Sequence, residues 1–281
     1  MSSTTVVVGV GYLGRRYLDN NDDALGLTRQ DFDLDQESPS GVELPHHYSV
    51  IYTVPPASDS PADIRLERLL ANLKTAPQRF VYISTTGVYG DHGGATVDEE
   101  TPVRPSSDHA ARRVAAENAL QAWATDSGAT IVVLRVPGIY GPGRLGIDRI
   151  REQVPIIDEA DTGPGNRIHV DDLAASCTAA LQENVPGGIY NVGDGDHRSS
   201  TWFTNEVARQ AGLPAPPTVS MEQAEKEFSP MRLSFLRDKR LVDTMRMREV
   251  LGVKLAYANP ADGIHASIQE EGHERDVRRR K

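Results

Sequence analysis

The chain is poor in residues that build covalent or metal scaffolds. It holds one cysteine, Cys177, among 281 residues. One thiol closes no internal disulfide and makes no zinc site by itself. Its setting, Ala174-Ala175-Ser176-Cys177-Thr178-Ala179-Ala180, reads as a packed helix face. An inert core cysteine in a reducing, cytoplasmic setting is expected. No apolar run approaches the ~20 residues that a membrane span needs. No basic residue precedes the first apolar run within residues 1–5, unlike a secretory leader. Positive charge is also short: 30 Lys and Arg against 40 Asp and Glu leave a net charge of −10. Such a field repels polyanions, which argues against nucleic acid or an anionic membrane as partner. The basic stretch 275–281 reads as a solvated tail.

What remains is an ordinary globular composition, with 38% hydrophobic and 25% charged residues and enough length to bury a core. Short apolar runs at 6–8, 25–27, 50–53, 80–83 and 131–134 predict strands. They lack polar alternation, so both faces are expected to be covered. Helical patterns at 62–73 and 107–125 lie between them. Alternating β and α elements with right-handed crossovers predict an α/β, Rossmann-type doubly wound parallel sheet. After Gly141 the texture changes to Gly/Pro clusters, a helix at 171–181, a strand at 189–192, and mainly helix from Ser199. The expected organisation is a dinucleotide-binding domain of residues 1–140 plus 167–197. Residues 141–166 plus 198–281 would form a smaller, mostly helical C-terminal lobe for substrate.

The first strand runs directly into Gly9-Val10-Gly11-Tyr12-Leu13-Gly14. Placed between strand and helix, this spacing fits a dinucleotide site. Gly9 permits the tight turn, Gly11 lets a pyrophosphate approach the backbone, and Gly14 lets helix and strand pack closely. Tyr12 and Leu13 open the helix whose free N–H groups face the phosphates. About twenty residues on, where an NAD reader carries a carboxylate, the chain has Arg29. A guanidinium suits a 2′-phosphate, so NADP is favoured, with NAD possible. Asp33, in Asp33-Leu34-Asp35, is a candidate adenine contact.

At Ile83-Ser84-Thr85-Thr86-Gly87-Val88-Tyr89-Gly90 the chain resembles an extended short-chain dehydrogenase/reductase of the NAD(P)-dependent epimerase/dehydratase type. The likeness continues in Leu134-Arg135-Val136-Pro137-Gly138-Ile139-Tyr140-Gly141-Pro142-Gly143-Arg144. It extends through Arg167-Ile168-His169-Val170-Asp171-Asp172-Leu173-Ala174 and Gly188-Ile189-Tyr190-Asn191-Val192-Gly193-Asp194. The resemblance adds Thr53, Pro55 and Pro137 to the expected coenzyme contacts. It implies a catalytic Ser/Thr, Tyr and Lys. Thr85 takes the Ser/Thr place. Aligning Pro105 and Glu117 puts His109 where Tyr is usual and Arg113 where Lys is usual. This departure resembles the atypical, YeeZ-like branch of the family.

His109 and Arg113 lie one helical turn apart and so share a face. An imidazole can serve as general acid or base near neutrality, and Arg113 would lower its pKa and reach ribose hydroxyls. Tyr89, Arg144 and Arg167 are expected to meet a small-molecule substrate, the arginines through an anionic group. Asp171 and Asp172 are expected to cap a helix. The spacing of His92 and His169 suggests no metal site. The expected activity is an oxidoreductase or epimerase acting on a carbonyl or sugar-nucleotide-like substrate. The alternative is a catalytically inactive NADP-binding regulatory or sensor protein. An oligomer is possible.

Overall fold

A computed structural model describes residues 3–36 and 43–279, with backbone alone at 230, 231, 234, 235 and 274–279. Six strands form one parallel sheet: β1 (Thr4–Val8), β2 (Leu25–Leu27), β3 (Tyr48–Tyr52), β4 (Arg79–Thr85), β5 (Thr130–Val136) and β6 (Gly188–Asn191). Their order across the sheet is β6-β5-β4-β3-β1-β2. The order reverses between β1 and β3, which opens a crevice at the carboxyl ends of those two strands.

The apolar runs follow from burial on both faces. Val7, Ile51, Val81, Val132 and Leu134 pack to one side, against helices α1 (Tyr12–Asp19) and α4 (Val170–Ala180). Their neighbours Val6, Val8, Val50, Phe80, Ile131 and Val133 pack to the other, against α2 (Ile64–Asn72) and α3 (Asp108–Ser127). Successive strand residues point to opposite faces, so a strand covered twice needs apolar residues at every position. Each fully buried Val, Leu or Ile contributes roughly 1.5–3 kcal/mol. Cys177 lies in the first of these cores on α4 with no exposure. Burial pushes its thiol up to about 12, which keeps it unreactive at neutral pH.

Two smaller cores lie outside the sheet. One joins Leu145 and Ile150 to Val207 of α5 (Ser200–Gln210) and Ile264 of α6 (Pro260–Arg279). The other joins Ile157, Ala224 and Leu233. A short parallel pair, Thr96–Val97 with Leu241–Val242, ties this later part of the chain to the segment after β4. The backbone of α6 carries the basic end on as helix to Arg279; the side chains of residues 275–281, expected as a solvated tail, lie outside the described residues.

One local expectation is corrected. Asp171 and Asp172 sit in the first turn of α4, but the cap is His169, whose Nδ1 accepts from the Asp171 N–H at 3.2 Å. Asp171 instead receives Arg16 at 3.0 Å, and Asp172 accepts from the N–H groups of Ala256 and Tyr257 at 2.7 and 3.0 Å. The carboxylates bind distant chain to the helix start, which local sequence does not reveal.

Candidate active site

The crevice at β1 and β3 is shaped by backbone. Gly9 follows β1 with φ of +96°, where a side chain would be strained, and a Cβ there would stand 2.7 Å from Val54 and 2.8 Å from Thr53 Oγ1. A Cβ on Gly14 would meet the Gly9 carbonyl at 2.2 Å. A Cβ on Gly11 would meet nothing within 4 Å. Two of the glycines are thus demanded by packing, whereas the third borders open space, as a pyrophosphate seat requires. Gly11 is the N-cap of α1 and supplies no side chain, so ligand oxygens can take the first-turn N–H groups. Thr53 donates to the Gly9 carbonyl at 2.6 Å and pins the turn to β3.

A cavity of about 250 Å³ adjoins the turn, lined by Gly9, Gly11, Arg29, Asp33, Thr53 and Pro55, together with Asp35 and Arg65. Arg29 reaches Asp35 at 2.6 Å, with its side chain 71% exposed. Asp33 accepts from the Asp35 N–H at 3.0 Å and from Gln36 at 3.3 Å. Leu13 is buried behind the turn, and Tyr12 donates to the Pro142 carbonyl at 3.0 Å. The residues present therefore fit a dinucleotide: an open glycine, an uncapped helix start and guanidiniums beside the adenosine end.

A second cavity, about 400 Å³, lies at the ends of β4 and β5. Thr85, Thr86 and Gly87 border it from β4, Ser107 and His109 from the start of α3, and Pro137 and Gly138 after β5. Residues 162–166 with Asp238 and Arg240 close the opposite side. Ser107 caps α3 by accepting from the Ala110 N–H at 3.3 Å, which places His109 in the first turn at the cavity wall. Thr85 Oγ1 accepts from the Gly87 N–H at 3.1 Å, leaving its hydroxyl proton to donate. Burial, then Arg113 and Arg112, holds the His109 imidazolium below its ordinary pKa.

Arg113 does not line this cavity. It is buried against β4, donating to the Ile83 carbonyl at 2.8 Å and to Tyr82 Oη at 3.1 Å. It acts on His109 through its charge, while these two bonds hold its guanidinium on β4. One turn further on, Glu117 takes Arg135 at 2.7 Å and accepts from Ser84. Arg135 also donates to Tyr89 at 3.0 Å, and Tyr89 donates to Asn191 at 2.7 Å. This buried network joins α3 to β4, β5 and β6 and fixes where His109 stands.

The three expected substrate contacts lie elsewhere. Tyr89 is fully buried in that network. Arg144 is exposed and stacks 4.0 Å over the Tyr12 ring. Arg167 is buried and donates to Asp196 at 3.3 Å and to the Ser199 carbonyl at 3.1 Å. None of the three lines the second cavity. Sequence reading missed several residues that do: Ser106 donates to Asp238 at 2.8 Å, and Arg240 donates to the Gly90 carbonyl at 2.7 Å. Asn166 donates to the Arg240 carbonyl at 2.9 Å. Their partners are remote in sequence, and no local motif marks them.

Residues 64–193, which span the second cavity's β4, α3 and β5 walls, match the family model described as NAD dependent epimerase/dehydratase family. The chain resembles this family over 130 of its 281 residues. Among curated family relatives, it is 30% identical over 145 residues to a dTDP-glucose 4,6-dehydratase of Streptomyces niveus, covering 48% of this chain and 42% of that protein. It is 29% identical over 184 residues to protein YeeZ of Escherichia coli K12, covering 65% of this chain and 60% of YeeZ. These matches thus span less than two thirds of the relatives' own lengths. A solved structure of a functionally unknown conserved protein from Silicibacter pomeroyi superposes with a TM-score of 0.78 at 29% identity, covering 96% of this chain and 99% of that one. The fold is shared with RMD from Pseudomonas aeruginosa complexed with NADPH, at a TM-score of 0.76 and 18% identity, over 95% and 99% of the two chains. Members of the epimerase/dehydratase family bind NAD or NADP. Among the described residues no helix is long and apolar enough to cross a membrane.

Proposed function

We propose that this chain is an NADP-dependent oxidoreductase or epimerase acting on a carbonyl or sugar-nucleotide-like small molecule in the cytoplasm, with His109 as its acid–base group. The observation that carries the reading is the placement of Thr85 and His109 on one cavity wall, at the carboxyl ends of the same sheet that holds the glycine turn. Gly9, Gly11, Gly14 and Thr53 would hold the coenzyme's pyrophosphate side, with Arg29 toward the adenosine ribose. The bound dinucleotide supplies hydride chemistry.

The chain's own residues handle the oxygen and its proton. Thr85 donates to the substrate oxygen and orients it. His109, held neutral near pH 7 by burial and the two neighbouring arginines, takes the proton from a substrate hydroxyl. In the reverse direction the imidazolium returns it. Arg113 is a positioning residue: its charge tunes His109, and its bonds to β4 fix the helix face. NADP is preferred over NAD because Arg29, about twenty residues after the glycine turn, lines the coenzyme cavity where an NAD reader carries a carboxylate.

One observation favours a second reading, a coenzyme-binding regulator without turnover. Arg113, which the resemblance aligns with the family's usual Lys, bonds to the Ile83 carbonyl and does not line the cavity. Calorimetric titration with NADPH, followed by a panel of carbonyl substrates, separates the two. Under the enzymatic reading, His109→Ala lowers kcat about hundredfold with NADPH affinity held within about twofold. Tight NADPH binding with no oxidation by any carbonyl supports the regulator; no binding of either coenzyme form defeats both.

A further inference from the structure

Asp35 stands between two arginines. Its Oδ2 meets Arg29 Nη2 at 2.6 Å, and its Oδ1 meets Arg65 Nε at 2.6 Å. All three line the same cavity as Gly9 and Gly11. We propose that Arg29 and Arg65 together form the seat of the coenzyme's 2′-phosphate, and that Asp35 occupies that seat as an internal competing anion and thereby sets how strongly NADP is preferred over NAD. The proposal rests on the dinucleotide reading above and names a second cation and a regulator within it.

The geometry of each partner fits its part. Arg65, near the start of α2, is anchored: it also donates to the Pro55 carbonyl at 3.0 Å, and its side chain is 19% exposed. Arg29 is 71% exposed and free to re-aim. Asp33, 3.9 Å from Arg29 Nε, offsets part of its charge. The Arg65 hydrogen bond holds the Asp35 carboxyl below the usual range, so it stays an anion at neutral pH. Ion pairs this close to solvent are weak and easily exchanged. A phosphate monoester brings up to two charges and three acceptor oxygens, and two guanidinium forks serve it better than a single carboxylate does. A ribose hydroxyl offers no charge and leaves both pairs intact. NADP must therefore displace Asp35, whereas NAD need not, and the carboxylate mutes a discrimination that two arginines would otherwise make steep.

The test is titration of the full chain, followed by protein fluorescence, with NADPH, NADH and adenosine 2′-monophosphate. Asp35→Asn is expected to tighten NADPH and adenosine 2′-monophosphate about fivefold and to leave NADH within about twofold. Arg65→Gln is expected to weaken the two 2′-phosphate ligands about tenfold and to spare NADH. Unchanged or weaker NADPH binding in Asp35→Asn overturns the proposal, as does equal tightening of both coenzymes. Arg65→Gln binding like wild type overturns it too. Wild type that binds adenosine 2′-monophosphate but neither coenzyme defeats the dinucleotide reading while the phosphate seat stands. Wild type that binds none of the three defeats both.

Discussion

At the ends of β1 and β3 the cleft is made of backbone: a positive-φ Gly9, a Gly14 that tolerates no Cβ, and a helix start without a capping side chain. At the ends of β4 and β5 it is made of side chains, Thr85 and His109, held by the buried Ser84–Glu117–Arg135–Tyr89 network. The difference is one of tolerance. A backbone seat has few ways to change and still hold a diphosphate. A side-chain site can change its reacting groups while helix, cap and strands stay in place, because the network behind them carries the geometry.

The largest expected effect breaks that network. Glu117→Ala leaves Arg135 buried without its carboxylate, and loss of one partner of a buried pair costs about 3–5 kcal/mol. Urea unfolding measures it; a change under about 1 kcal/mol would show that the pair contributes little to holding α3. Gly14→Val attacks the other half. Its Cβ would stand 2.2 Å from the Gly9 carbonyl, so the turn must shift, at roughly 3 kcal/mol and with loss of NADPH binding. A Gly14→Val protein that binds NADPH like wild type would mean the turn is not the coenzyme seat.

The same division decided what could be read from sequence. Strands covered on both faces announce themselves as unbroken apolar runs, and the glycine turn is local, so each was legible from adjacent residues. The second cavity was legible only where it is local too, at Thr85, His109 and Pro137. Its far wall is held by pairs such as Ser106 with Asp238 and Asn166 with Arg240, which sequence order keeps far apart. Arg167 illustrates the opposite error. A cation beside glycines suggests an anionic ligand, yet its charge meets Asp196 and its other bonds go to backbone carbonyls. Tyr89 likewise looked like a contact because the motif around it borders the site, whereas its ring faces inward.

A smaller effect probes the floor behind the side-chain half. Asp194 follows β6, is 2% exposed, and leaves Oδ2 without a partner; burial pushes its carboxyl up to about 7 from 3.8. A raised carboxyl binds its proton in the folded state before the unfolded chain does, so stability is present below pH 4 and lost as pH rises toward 7. Asp194→Asn removes that loss. It is expected to gain on the order of 2 kcal/mol at pH 8, a Tm rise of roughly 4–8 °C, and almost nothing at pH 4. Equal shifts at the two pH values would place the cause outside this titration.

The smallest effect is the sharpest test of the side-chain half. As a base, His109 must be neutral, so kcat/KM falls only as pH drops through its pKa. Burial is the largest cause holding that pKa down, followed by Arg113 and then Arg112. The acid limb is therefore expected below the ordinary imidazole range. Arg113 is a poor probe, because replacing it also strips donors from Ile83 and Tyr82. Arg112→Gln removes a charge and leaves those bonds, so it should move the limb upward, toward the ordinary value, without changing the plateau. If tuning comes from charge, the same variant loses its difference from wild type at high salt, where interactions between partly exposed charges are screened. A limb that stays fixed in Arg112→Gln at low salt assigns the profile to another group and removes His109 from the proton's path.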